Sequence, residues 1–164
     1  MHRRSVAVFD RFLSALATIL DKAEAHCEAR KIRPEVILTA RLFPDMFPLT
    51  RQVQLACDFA ARGTARLAGQ EPKGFPDSET SFAELKHRIA ATRGYMGGFQ
   101  PVDFAHADTR EVHFKAGGRD LVLKGEEFLS FYALPQFFFH LTTAYDILRH
   151  NGVDLGKRDY MGAP

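Results

Sequence analysis

Few side chains in this sequence are spaced to do chemistry, and His140 stands out among them. It lies in the most apolar stretch, Leu134 to Gly152, which reads LPQFFFHLTTAYDILRHNG. Run as a helix, the stretch aligns Phe137, Leu141, Ala144 and Leu148, with His140 and Ile147 on one flank and Tyr145 on the other. An imidazole titrating near neutrality can act as a general base or hold a metal. The same pattern suits a core histidine hydrogen-bonded to a neighbour. Asp45 is the second candidate. It follows Pro44 in RLFPDMFPLTRQ and is either a turn residue ahead of a helix or an acid at the mouth of a pocket. Gln52 stands one turn before Leu55 and Ala56 and is expected to point inward. Cys27 and Cys57 have neither C-x-x-C nor metal-pair spacing. Both fall in helical patterns and read as small buried residues with reduced thiols.

These residues need a scaffold, and the composition allows one domain over residues 1–164 with one core. Apolar residues make up 46% of the chain and charged ones 26%, which places it among globular proteins. The formal charge of +2 comes from 22 basic and 20 acidic side chains, with no concentrated basic face for nucleic acid. Arg3-Arg4 is no export signal, because Asp10 and Arg11 break the apolar run that should follow. No apolar run is long enough to span a membrane, and a cytoplasmic protein is expected.

In chain order, Ser5 to Arg30 reads as a long amphipathic helix with Ser5 as N-cap and Phe9, Leu13, Leu16, Leu20, Ala23 and Cys27 on one face. Pro34 opens a short helix to about Arg41. In the proline-bracketed loop that follows, Phe43, Met46 and Phe47 call for cover. Pro48 to Ala68 is the second long helix, ended by Gly69, with Asp58 and Arg62 facing out as a pair one turn apart. Residues 69–80 form an irregular connection whose large apolar anchor is Phe75. Ser81 and Glu84 have the form of a capping box, opening a third helix to about Met96 with His87 outward. Pro101 starts a further short turn.

The period then changes to two. Val112, Phe114 and Ala116 alternate with Glu111, His113 and Lys115, and Gly117-Gly118 suits a two-residue hairpin turn. The implied register sets Phe114 against Leu121, Val112 against Leu123, Lys115 against Asp120 and Glu111 against Lys124. Glu126 and Glu127 suit a helix start, and Phe128, Phe131 and Tyr132 continue as an apolar face. Pro135 must kink or break that helix, and Asn151-Gly152 closes it. The tail VDLGKRDYMGAP is no phosphate loop, and Tyr160 is placed to dock it back. Four long helices with a hairpin before the last give a mainly α fold, an antiparallel four-helix bundle.

The phrases ARLFPDMFPLTRQVQLACDFA, TSFAELKHRI and ALPQFFFHLTTAYDILRHNGVDLGKRDYMG resemble an uncharacterised bacterial domain family of the DinB/YfiT-like superfamily. The resemblance covers nearly the whole chain. It implies a four-helix bundle that is usually a homodimer in relatives. Many superfamily members are regarded as metalloenzymes, and some are metal-dependent thiol transferases acting with small bacterial thiols. Their metal site takes one histidine from the second helix and an H-x-x-x-H pair from the fourth, two imidazoles on one helical face and a third opposite. Here His140 matches the inward position on the last helix. Ala144 stands four residues later and Gln136 four earlier, and the second long helix has no histidine. Asp45 and Gln52 are the nearby polar substitutes, and an amide is a poor transition-metal ligand. A divalent metal at His140 would lack its triad, so the inherited metal function is expected to be lost or altered.

Three functions fit these residues. In the preferred reading, the chain binds a small molecule in a residual pocket lined by Asp45, Gln52, His140 and Tyr145 with aromatic walls. The second is an enzyme of the superfamily type, with His140 as ligand or base. The third is an interaction module that pairs with itself through the hairpin or an outer helix face.

Overall fold

In the computed structural model, which describes residues 1–162, helix α1 spans His2–Arg30, α2 Pro34–Leu38, α3 Leu49–Leu67 and α4 Phe82–Gly97. A 3₁₀ turn at Pro101–Phe104 leads to strands β1 (Glu111–Ala116) and β2 (Arg119–Lys124). Helix α5 (Gly125–Phe128), a π turn (Leu129–Ala133) and α6 (Leu134–His150) follow without a gap, and α7 (Lys157–Met161) closes the described chain. The tail residues Ala163 and Pro164 lie outside the described residues. The fold is mainly helical, with a two-stranded antiparallel hairpin before the last helices.

The apolar stripes meet as helical periodicity requires. Helix α1 packs against α3, α4 and α6, and α3 packs against both α4 and α6. Phe9, Leu13, Leu16 and Leu20 of α1, Val53, Ala56 and Ala60 of α3, Leu85 and Ile89 of α4, and Phe137, Ala144, Ile147 and Leu148 of α6 share one core. Phe9 meets the Phe137 ring edge-on at 4.9 Å. Each such fully buried Leu or Phe contributes about 1.5–3 kcal/mol of transfer free energy. Small residues along α3 let its neighbours approach closely. Both Cys27 and Cys57 are buried free thiols.

Several expected boundaries shift for identifiable reasons. Ser5 is not the N-cap of α1. The helix opens at His2, and the buried Ser5 hydroxyl donates to the Met1 carbonyl at 3.2 Å. The added first turn is held by Arg4, which makes two bonds to Glu126 at 2.6 and 2.8 Å. Helix α2 stops at Leu38 instead of reaching Arg41. The Thr39 hydroxyl folds back on the Glu35 carbonyl at 2.6 Å, and the Ala40 carbonyl takes the Leu49 N–H at 2.9 Å. The loop beyond is stapled by Arg41, which donates to the carbonyls of Pro44 and Met46. It remains on the surface, and Phe43 and Phe47 are exposed instead of covered. Asp58 does not face out. It is buried, for a reason given below.

The hairpin has the expected register, including Phe114 opposite Leu121 and Lys115 opposite Asp120. Gly117 and Gly118 have φ of 56° and 76°, the left-handed pair that a tight primed turn needs. Ser81 and Glu84 form the capping box of α4. Pro135 marks the expected break in regular winding, where the π turn divides the last helical region into α5 and α6. It sits in the first turn of α6, directly after the π turn, where the wider winding relieves the missing N–H. The π turn also changes the angular step. Phe128 is therefore buried while Phe131 is 78% exposed, and the two do not form one apolar face. Tyr160 of α7 docks back, its hydroxyl 2.8 Å from that of Thr142 and its ring against Phe12 and Tyr145.

Candidate functional site

The site is built where the first turn of α3 meets the middle of α6. Helix α3 starts after Pro48, and the Gln52 N–H bonds to the Pro48 carbonyl at 3.0 Å. That places the Gln52 side chain inside, 1% exposed, with its Nε2 donating to the Phe47 carbonyl at 3.1 Å. Its Oε1 then faces His140 Nδ1 at 2.7 Å. An amide oxygen only accepts, so the Nδ1 of His140 carries the proton. The imidazole is held as one tautomer, with its Nε2 lone pair facing away from Gln52.

The rings around it complete the setting. Phe59 stacks on the imidazole at 5.5 Å and 9°, and Phe139 meets it edge-on at 5.2 Å. Burial lowers the His140 pKa from 6.5 to about 4, and the nearby Arg51 guanidinium pushes the same way. The ring is therefore neutral at neutral pH. Among the described residues, the hydrogen bond of the ring is the one at Nδ1, and His140 as a whole is 6% exposed.

Beside the ring lies a groove of about 350 Å³ lined by Phe131, Tyr132, Pro135, Gln136 and Phe139. Gln136 stands one turn before His140 on the same helical face, and Tyr132 one turn before Gln136 across the π turn. His140 is not in the groove's lining; the groove adjoins the imidazole through Phe139, whose ring meets it at 5.2 Å. Neither Tyr132 nor Gln136 is among the pocket residues expected from sequence. Their four-residue steps, from 132 to 136 and from 136 to 140, are the signal the sequence offers.

Of the four expected pocket residues, the structure brings together Gln52 and His140. Asp45 is exposed and makes no hydrogen bond or ion pair among the described residues. Tyr145 turns to the α1 and α7 side, where its ring meets Tyr160 at 5.7 Å. A metal needs more than this set provides. Among the described residues no group of three His, Cys, Asp or Glu side chains could hold an ion. One imidazole beside the amides of Gln52 and Gln136 does not fit a zinc or nickel centre. Burial raises both thiols, Cys57 to about 12, which disfavours the thiolate form.

A second polar cluster lies on the far side of Arg51. Arg88 of α4, 1% exposed in its side chain, reaches Asp58 at 2.6 Å, Glu79 at 3.0 Å, Asp77 at 3.1 Å and the Pro76 carbonyl at 2.8 Å. Arg62 also pairs with Asp58 at 2.9 Å, so that expected pair exists but around a buried carboxylate. Arg51 pairs with Asp77, and Gln54 Nε2 donates to Glu79 at 2.8 Å. The cluster clamps the irregular 69–80 connection onto α3 and α4, with Phe75 under the Arg88 guanidinium. Arg88 lies between Leu85 and Ile89 of the inner stripe, and a cation in that position requires buried anions.

A crystal structure of a DinB family member protein from Shewanella denitrificans superposes on this chain with a TM-score of 0.94 at 46% sequence identity, covering 99% of this chain and 92% of that one. Among curated proteins, none matches the chain. The family model described as a domain of unknown function (DUF1993) matches residues 1–161. With one relative matched along nearly its whole length and one family model spanning the fold, this chain belongs to the DUF1993 family of DinB-like proteins.

Proposed function

We propose that the chain is a small-molecule-binding member of this family, built on an antiparallel four-helix bundle formed by α1, α3, α4 and α6. The ligand site is the groove beside His140. One observation carries the reading: an aromatic groove that bears the polar groups of Tyr132 and Gln136 lies next to an imidazole fixed in one tautomer by Gln52. Concave apolar walls with a few placed polar atoms are the usual make-up of a ligand site. The test is a fragment screen of aromatic compounds by NMR on the full chain. Perturbation centred on Phe131, Tyr132, Gln136 and Phe139 is expected. A screen that leaves these resonances unmoved refutes the reading.

Metal-dependent thiol transfer is the reading the donor set supports least, because His140 has no partner ligands. Elemental analysis of protein purified without added metal, combined with a thiol-transfer assay, decides it. Stoichiometric metal together with transfer activity would overturn the preference for binding. Self-association is favoured by a different observation. Phe131 and Phe139 stand exposed beside each other at the groove, which suits the face of a homodimer. Sedimentation at micromolar concentration tests it, and a monomer refutes it. No described helix is long and apolar enough to cross a membrane. We place the protein in the cytoplasm, where its two free thiols would stay reduced.

A further inference from the structure

We propose a second site, sharing no residue with the groove at Phe131 and Phe139: a cavity between α1, α4 and α7 that takes a small organic phosphomonoester. Three contacts bring α7 back over α1. Arg11 Nε donates to the Met161 carbonyl at 3.1 Å, Lys22 pairs with Asp159 at 2.6 Å, and Tyr160 packs edge-on against Phe12. Between these two helices, with Arg93 of α4 also in the wall, a cavity of about 1080 Å³ is left. That is room for a drug-sized molecule.

Charge argues for the ligand's class. The wall carries four cations, Arg11, Arg93, Lys157 and Arg158, against two carboxylates, Asp10 and Asp159, an excess of two positive charges. The whole chain has a formal charge of +2, so the excess at this one cavity equals that of the entire protein. Both carboxylates are already committed. Asp10 takes Nε and Nη2 of Arg93 at 2.7 and 3.2 Å, and Asp159 takes Lys22, which lies outside the wall. Among the described residues Arg11, Lys157 and Arg158 enter no ion pair. A phosphomonoester carries close to two negative charges at neutral pH, and its terminal oxygens accept from guanidinium forks. Ala15 and Met161 add apolar surface to the wall, which suits an ester with an organic body.

Phenyl phosphate, benzoate and inorganic phosphate, titrated by NMR into the intact chain at fixed ionic strength, test this. Phenyl phosphate is expected to bind about tenfold more tightly than benzoate, which has less charge, and than inorganic phosphate, which lacks the organic body. The shifts should centre on Ser14, Ala15 and Met161. Lys157 and Arg158 are exposed, and Lys157→Gln and Arg158→Gln should each weaken phenyl phosphate about fivefold. Lys115→Gln, on the hairpin and outside the wall, removes the same charge and should leave the affinity unchanged. Benzoate binding as tightly as phenyl phosphate overturns the dianion, and inorganic phosphate doing so overturns the ester. Equal weakening by Lys115→Gln reduces the effect to general charge attraction and overturns the site. Failure of phenyl phosphate to bind overturns the proposal outright and leaves the groove at Phe131 standing.

Discussion

His140 Nδ1 lies 2.7 Å from Gln52 Oε1, and the Gln52 amide is turned toward the histidine by the Phe47 carbonyl. This contact joins α3 to α6 inside an apolar wall. Burial, with Arg51 pushing the same way, holds the histidine's pKa down to about 4 and keeps the ring neutral at neutral pH. In water the ring would be about half protonated near its ordinary value of 6.5.

That shift predicts an acid-side loss of stability. The folded ring stays neutral where the unfolded chain binds a proton, so protonation favours the unfolded state. His140's contribution is complete above about pH 6.5 and is lost as pH falls toward about 4. The loss approaches about 3 kcal/mol at the lower end. Urea denaturation across that window should show it, and His140→Leu should remove that share of the slope. An unchanged slope in the variant would locate the acid sensitivity elsewhere.

Arg88 predicts a different kind of failure. Arg88→Met takes a cation from buried Asp58, which keeps Arg62, and from half-buried Glu79, which keeps Gln54; breaking a buried pair from one side costs up to about 3–5 kcal/mol. The 69–80 connection loses its hold on Arg88 at Pro76, Asp77 and Glu79. Amide exchange should therefore speed up in that segment beyond what the global loss explains. Exchange that rises uniformly along the chain would contradict the clamp.

Gly125 is required by a close approach. A Cβ built there would stand 1.7 Å from the Ala107 carbonyl oxygen, while the Gly125 N–H donates to the Arg110 carbonyl at 2.8 Å. Gly125→Ala must push two backbone segments apart and should cost about 3 kcal/mol or more. The measurement is the midpoint of chemical denaturation. A variant as stable as the parent would mean the hairpin exit can shift freely.

The hairpin turn can be improved. Gly117 has a φ of 56° and nothing within 4 Å of a Cβ position. Asn tolerates that conformation, and Asn-Gly is the preferred pair for this turn. Gly117→Asn should stabilise the protein by about 0.5 kcal/mol through the unfolded state. Thermal melting checks the sign, and a lowered midpoint would argue against the turn type.

Much of the scaffold was legible in the amino-acid order. Val112, Phe114, Leu121 and Leu123 alternate with charges that complement across the strands, so the hairpin register followed from local pattern. The stripe of Phe137, Leu141, Ala144 and Leu148 and the Ser81–Glu84 box were equally local. The tertiary structure decided what periodicity cannot carry. It left Asp45 on the surface, sent Tyr145 toward Tyr160, and exposed Phe131 through a π turn. It also buried Asp58 against Arg88, thirty positions away, and paired Gln52 with His140, eighty-eight positions away. The reason is physical. A helical stripe shows which face seeks cover, whereas a buried polar atom is satisfied by whichever distant group the packed helices bring within about 3 Å.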